Sequence, residues 1–323
     1  MRRLLAGLTA GTFLLATAAC GSSDGSGTSG KAVSSGGITT VKLGLIPIVD
    51  VAPVYLGQKK GIYEKHGLKL AISTAQGGAA IVPGVVSGQF QFGFSNVTSL
   101  MIAQSNNVPV QAVANGIAST GVRGKDFNGL MVKKGSAIKS PKDLEGKKVA
   151  INTLKNINES AVRESVRKAG GDPDKVKLVE LAFDQMPAAL DKGQIDAACV
   201  VEPVTATIRS QGGVEIASPL VDVGPDVTVG MYFASQQYTQ QNPEVVKKFQ
   251  EATAESLAYA DAHPDEARAI VTTYTKIPAA VLEQVTLPKW PAEANRASIE
   301  ALSKLGEEDG FFKTKPDLDK LLP

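Results

Sequence analysis

Two stretches a hundred residues apart carry the same punctuation: SGQFQFGFSN, residues 87–96, and KGQIDAACVVEP, residues 192–203. Each reads as a helix stopped at glycine, a turn at glutamine, and a strand ending on polar residues. The order upstream is also shared. From Thr40 the strand VKLGLI leads to the loop PIVDVAP and a helix through VYLGQKK that stops at Gly61. The strand LKLAIST then reaches Gln76-Gly77-Gly78, and the helix AAIVPGVVS stops at Gly88. From Gly146 the strand KKVAI leads to the loop NTLKNIN and the helix ESAVRESVRKA, stopped at Gly170-Gly171. The strand KVKLVELA, the turn Phe183-Asp184-Gln185 and the helix MPAALDK follow, the last stopped at Gly193. Glycine ends a helix because it takes the left-handed conformation at low cost. Pro187 and Pro203 suit first-turn positions, and Asn158 is read as an N-cap. Short β-branched strands alternating with such helices imply parallel sheets covered by helices. Two βαβαβ units predict an α/β chain of two lobes with related topology, each a parallel or mixed sheet flanked by helices.

That topology locates a site. In open α/β sheets, ligands bind beyond the carboxyl ends of the strands. In lobe one those ends hold Asp50 and Val51, Gln76 and Gly77, and Ser95 and Asn96; in lobe two they hold Asn152, Thr153 and Asn156, then Asp184, then Glu202. If the lobes face each other, six loops line one cleft. Glu202 then either meets a ligand or sets the mouth of a helix beginning at Pro203, where an acidic group is favoured by about 0.3–1 kcal/mol. The other residues double as ordinary turn and cap chemistry, Asp50 and Asn158 most of all. Tyr55 is the aromatic nearest these loops, with burial in its helix as the competing reading. His66 and His263 read as solvated turn residues.

Composition permits two cores and excludes some partners. Of 323 residues, 43% are hydrophobic and 20% charged, which is globular composition at a length that supports two lobes. The net charge of +2 equals the two arginines that open the chain, and no basic run alternates with aromatics. Nothing predicts a phosphate-binding face, so no nucleic-acid partner is expected.

Arg2-Arg3 precede LLAGLTAGTFLLATAA, a charged and then apolar order typical of an export signal and too short for a comfortable membrane span. ATAAC resembles the bacterial lipobox, in which the cysteine is acylated and becomes the mature N-terminus; Thr17 stands where leucine is commoner. Residues 1–19 are therefore expected to be a signal peptide and Cys20 a lipidated residue. Residues 20–40, GSSDGSGTSG included, are expected to be a flexible tether. A plain secretory signal cut near Ala19 is the competing reading. Cys199, within AACVV, reads as a small buried hydrophobe.

GLIPIVDVAPVYLGQKKGIYEKHGLKL resembles the opening of the sulfonate/nitrate/taurine and thiamine-pyrimidine binding family of ABC-importer proteins. Here Ile62 intervenes between Lys60-Gly61 and Tyr63. KSPKDLEGKKVAINT resembles that family's entrance to the second lobe, GQIDAACVVEP its strand before a Glu-Pro pair, and NPEVVKKFQEATAESLAYA its C-terminal helix. The resemblance runs from about residue 41 to 315. It implies a periplasmic-binding-protein-like fold closing on a ligand in a cleft between the lobes. Lobe one then comprises 41–126 and 236–323, and lobe two 127–235.

The function implied is an extracytoplasmic solute-binding lipoprotein, membrane-anchored through Cys20, monomeric, and handing its solute to an ABC permease with its ATPase. No cofactor, metal or catalytic residue is expected. The cleft loops carry Asp50, Asp184 and Glu202 against Lys155, with many amides, which favours a neutral or cationic nitrogenous solute over nitrate or a simple sulfonate. An anion held by helix N-termini remains open. Competing classes are a lipid-anchored sensor of the same fold and a pyrimidine-synthase-like enzyme. The chain lacks the cysteine-rich iron motif of that synthase, and also G-x-S-x-G, a P-loop and paired His–Cys chemistry.

Overall fold

A computed structural model describes residues 33–35 and 37–322; the expected signal segment and Cys20 lie outside the described residues. The chain opens with β1 (Val33–Ser35) and β2 (Ile38–Leu45), then α1 (Ala52–Lys59), α2 (Ile62–Lys65) and β3 (Leu68–Thr74). Next come α3 (Gly78–Val86), β4 (Phe92–Asn96), α4 (Val97–Ser105) and β5 (Val110–Ala118). It crosses to a second sheet with β6 (Asn128–Val132), β7 (Lys148–Ile151), α5 (Ile157–Lys168), β8 (Lys177–Glu180) and α6 (Met186–Asp191). β9 (Ala197–Val201), α7 (Val204–Ser210), β10 (Val214–Ala217) and α8 (Pro219–Val223) complete that half. The return is β11 (Thr228–Ser235), followed by α9 (Gln236–Gln241), α10 (Pro243–Ala262), α11 (Pro264–Ile270), α12 (Arg296–Glu308) and α13 (Leu318–Leu321).

The expected α/β architecture is present: one sheet runs β1-β2-β4-β11-β5 with β3 on the far side of β2, and the other runs β10-β6-β9-β7-β8. The repeated βαβ units give the parallel pairs β2–β3, β2–β4, β7–β8 and β7–β9. Both sheets also carry antiparallel strands, so both are mixed. Two boundaries differ from expectation. Ordered pairing starts inside the stretch read as tether, because Val33–Ser35 pairs with Ile38–Thr40. β11, assigned by analogy to lobe two, lies in the first sheet between β4 and β5. All eight of its residues are buried, and an apolar strand of that kind belongs in a sheet interior.

Local chemistry explains the elements that carry the cleft. β9, the apolar AACVV, is wholly buried between β6 and β7. α5 is capped by Asn156, whose side chain accepts from Glu159 N at 3.1 Å, two residues before the expected Asn158. An N-cap needs extended backbone, which Asn156 has after the positive φ of Lys155. In the first lobe, α10 lays Phe249 on Phe92 at a centroid separation of 3.9 Å, with Tyr63 and Tyr232 beside them. Burying such a ring contributes about 1.5–3 kcal/mol.

His66 is not simply solvated: its Nε2 lies 2.8 Å from Glu255, tying α2 to α10. His263 stacks on Tyr259 at 4.0 Å. Trp290 is buried beside Lys289, whose backbone pairs with Ala118 at the end of β5. Among the described residues, no helix is long and apolar enough to cross a membrane.

Candidate functional site

The carboxyl ends of the two sheets face one another across a small cleft that is partly open to solvent. The first lobe lines it with Ile46, Ile48, Asp50, Phe94, Asn96 and the Val229–Gly230 pair of β11. The second lobe supplies Asn152, Ile157, Asn158, Phe183, Val201 and Leu220. Apolar side chains dominate both walls, and four polar ones interrupt them. The lobes touch at the rim, where a Cβ on Gly77 would stand 3.0 Å from Thr153 Cγ2. Behind the cleft they are joined again: Arg163 of α5 donates from Nε to Asp309 at 2.7 Å, and Arg167 pairs with the same buried carboxylate at the end of α12.

Among the described residues, Asp50 is the one ionisable group on the cavity wall. It sits in a single 3-10 turn, Val49–Val51, ahead of α1, where Pro53 begins the helix. The turn is held from below by Tyr274, which stacks on Tyr55 at 4.0 Å and donates its hydroxyl to Ile48 O at 3.1 Å. Tyr55 therefore packs beneath the loop and does not line the cavity. Asp50 is 3% exposed, and its Oδ1 has no hydrogen-bond partner among the described residues. Burial pushes its carboxyl up to about 8, against the help of its own backbone N–H, and the nearby Asp126 adds to the rise. At neutral pH the carboxyl is thus mostly protonated, ready to give or take a hydrogen bond.

The amides are oriented by the helices they precede. Asn96 caps α4 by accepting from Ser99 N at 2.9 Å, which leaves its Nδ2 without a partner among the described residues. Asn152 Oδ1 accepts from Asn156 Nδ2 at 2.7 Å and from Asn158 Nδ2 at 2.9 Å, which leaves its own Nδ2 without a partner among the described residues. Asn158 in turn accepts from Asn128 at 3.3 Å within the second sheet. A network anchored at one end and open at the other offers preorganised donors to a ligand.

Of the eleven candidates from sequence, Asp50, Asn96 and Asn152 come together on the wall. The others do not line it. Val51 is fully buried under the turn, and Ser95 is turned inward to donate to Asn96 O at 3.2 Å. Gly77 and Thr153 form the rim contact between lobes. Asn156 is consumed as the cap of α5. Gln76 and Asp184 point to solvent. In the turn after β8 it is the neighbouring Phe183 that fills the cleft. Glu202 is fully buried, yet its carboxylate turns from the cavity to Ala206 N at 2.9 Å, Thr286 N at 3.2 Å and Arg209 at 3.3 Å. Val201 closes β9 and lines the cleft, and the chain turns at Glu202, which sends its side chain away from the cavity.

The surrounding apolar wall was missed in the sequence. Phe183 and Val201 lie in the strand-end stretches expected at the cleft, but an apolar residue there carries no signal that separates wall from core, and neither does Phe94 inside β4. Val229 and Gly230 belong to the strand assigned to the wrong lobe.

Isosteric changes test the wall directly. Asn96→Asp keeps the α4 cap, and Asn152→Asp keeps the acceptor for Asn156 and Asn158, while each removes the free amide donor. Each is expected to weaken the same solute by about 1–3 kcal/mol in calorimetric titration, with the double variant non-additive. Unchanged affinity in both single variants rules out a shared cavity.

Comparisons give the chain a family and a fold. A family model described as "NMT1/THI5 like" matches residues 48–267. The taurine-binding periplasmic protein of Escherichia coli is 28% identical over 190 residues, covering 58% of this chain and 56% of that protein. A 4-amino-5-hydroxymethyl-2-methylpyrimidine phosphate synthase of Aspergillus parasiticus is 24% identical over 226 residues, 66% of this chain and 64% of the enzyme. Among solved structures, the alkanesulfonate-binding protein of Xanthomonas axonopodis pv. citri bound to MOPS superposes with a TM-score of 0.74 at 16% identity. That match covers 88% of this chain and 98% of that one, a likeness of periplasmic-binding-protein fold.

Proposed function

The chain belongs to the NMT1/THI5-like family, and from that premise we propose that it is an extracytoplasmic solute-binding protein delivering a small polar organic molecule to an ABC importer. The observation that carries the reading is the cleft: Asp50 and Asn96 of one lobe and Asn152 of the other converge on a single cavity whose remaining wall is chiefly apolar. Such a site suits a compact ligand with an apolar body and a few hydrogen-bonding groups. In this reading Cys20 carries the lipid anchor, the permease and its ATPase are the partners, and the protein acts as a monomer.

The preferred solute bears an N–H or ammonium group that meets Asp50. Repulsion of anions by three carboxylates no longer supports that preference, because Asp184 and Glu202 do not line the cavity. Asp50 supports it by chemistry instead: a neutral N–H donor meets an acceptor oxygen with no partner, and a cation draws the carboxyl into its ionised form.

Resemblance to the pyrimidine synthase makes an enzyme the second reading. Binding is favoured over it by the groups present. The cavity wall offers one carboxyl and three amides, and the Cys199 thiol is buried in the second sheet, where burial pushes its pKa up to about 12. A thiol held in that state is a poor nucleophile.

A matched panel tests the proposal by thermal shift: taurine, ethanesulfonate, nitrate and 4-aminopyrimidine. Taurine and ethanesulfonate differ only by the amine. An amine-bearing member of the panel is expected to stabilise the protein, approaching about 2.7 kcal/mol at a hundred times its Kd, while ethanesulfonate and nitrate have little effect. Equal stabilisation by taurine and ethanesulfonate would show that Asp50 is not the group that selects the solute.

A further inference from the structure

Glu202 stands where three segments of the two lobes meet. Its backbone N–H donates to Phe127 O at 2.9 Å, and its carbonyl accepts from Val49 N, across the cleft in the Asp50 turn, at 3.0 Å. Its carboxylate gathers three donors: Ala206 N at the start of α7, Arg209 one turn further on, and Thr286 N of the C-terminal segment. Arg209 also reaches Glu215 of β10 at 3.3 Å. The C-terminal segment is fixed to the first lobe, because Arg268 of α11 donates to Val285 O at 3.1 Å and Lys289 pairs with Ala118 of β5. A helix cap alone accounts for the Ala206 bond. It does not account for a buried carboxylate taking a backbone N–H from the other lobe, 84 residues away in sequence.

We propose that Glu202 is a positioning residue for the solute site: its carboxylate clasps the second lobe to the C-terminal segment, and its carbonyl, oriented by that clasp, holds the Asp50 turn in register with the opposite wall. Val201, the adjacent residue, lines the cavity, so any rotation of this peptide moves both walls together. The inference takes its purpose from the solute-binding reading, but it is measured without solute. A failed solute panel therefore leaves it standing.

Hydrogen exchange of the full chain, followed by mass spectrometry, reads the clasp. In Glu202→Gln one neutral oxygen acceptor replaces two charged ones, so either Ala206 N or the Arg209–Thr286 pair faces an NH2 that cannot accept, and the charge that drew all three donors together is gone. Segments 46–52 and 283–289 are expected to exchange about tenfold faster or more, while β7 and β8 keep their protection. Thr286→Pro removes the donor from the opposite side; Val285 is extended at φ −68° and ψ 119°, a conformation compatible with a following proline. This variant is expected to speed exchange of segment 46–52 as well, although residue 286 makes no hydrogen bond to it. A change confined to α7, or an unaltered segment 46–52 in Thr286→Pro, overturns the proposal. If Glu202→Gln fails to fold, Thr286→Pro decides the matter alone.

Discussion

Replacing Asp50 by asparagine is expected to flatten the pH dependence of stability and to make the protein more stable than the native chain above neutrality. The sign follows from the direction of the shift. Burial raises the folded-state pKa of Asp50 from 3.8 to about 8. Below the lower value both folded and unfolded chains hold the proton, and the contribution is fully present. Between the two values only the unfolded chain releases it, so stability falls by about 1.4 kcal/mol per pH unit. Above about 8 the loss is complete. Glu202, raised from 4.5 to about 7 chiefly by burial, adds a loss of the same sign over a narrower window. Asparagine resembles the protonated acid and has no proton to lose, so the variant should lose the Asp50 slope and keep that of the other shifted carboxyls, Glu202 among them. Urea titrations at pH 5, 7 and 8.5 make the comparison. Parallel curves for native and variant chains would mean that Asp50 ionises normally. The same carboxyl links binding to protons: an ammonium solute should expel about one proton when it binds at pH 7, seen calorimetrically in two buffers of different ionisation enthalpy.

Gly230→Val is expected to abolish binding while leaving a folded protein. Gly230 pairs with Asn96 across β4 and lines the cavity. A Cβ there would lie 2.4 Å from Phe94 Cζ, a separation no real contact tolerates. The Phe94 ring is itself buried, 5.2 Å from Tyr232, so its route of escape is into the cleft that it lines. Overpacking of this kind costs about 1–3 kcal/mol of stability. Loss of the cavity costs the solute its apolar contacts, at least a hundredfold in affinity, or about 2.7 kcal/mol. Calorimetric titration and thermal melting separate the two effects. Native affinity in a well-folded Gly230→Val protein would place the solute elsewhere.

The fold was legible because its signals are local. Glycine stops, proline starts and the doubled strand-loop-helix order depend on a few adjacent residues each, and they yielded the parallel core of both sheets. Antiparallel strands such as β5, β6 and β11 fall outside the doubled strand-helix-strand order that marks the parallel ones. β11 was hidden further by a partner choice that depends on β4 and β5, each more than a hundred residues earlier. At the site, strand ends indicated which loops face the cleft: Asp50, Asn96 and Asn152 lie on its wall. Which side chain of each loop turns inward was not legible, because rotation about a single peptide decides it. Phe183 rather than Asp184, and Val201 rather than Glu202, face the cavity for that reason. The resulting error was to count charge in the cleft that the fold spends elsewhere.

The position of β11 also constrains how the chain comes into being. Sheet two draws on one unbroken stretch, β6 to β10, and can pair as soon as that stretch leaves the ribosome. Sheet one cannot. Until residues 228–235 are synthesised, β4 and β5 have no strand between them, and their inward faces stay exposed. The later part of the chain is thus born first as its own unit, while the earlier part waits, open and adhesive, for a strand made after it.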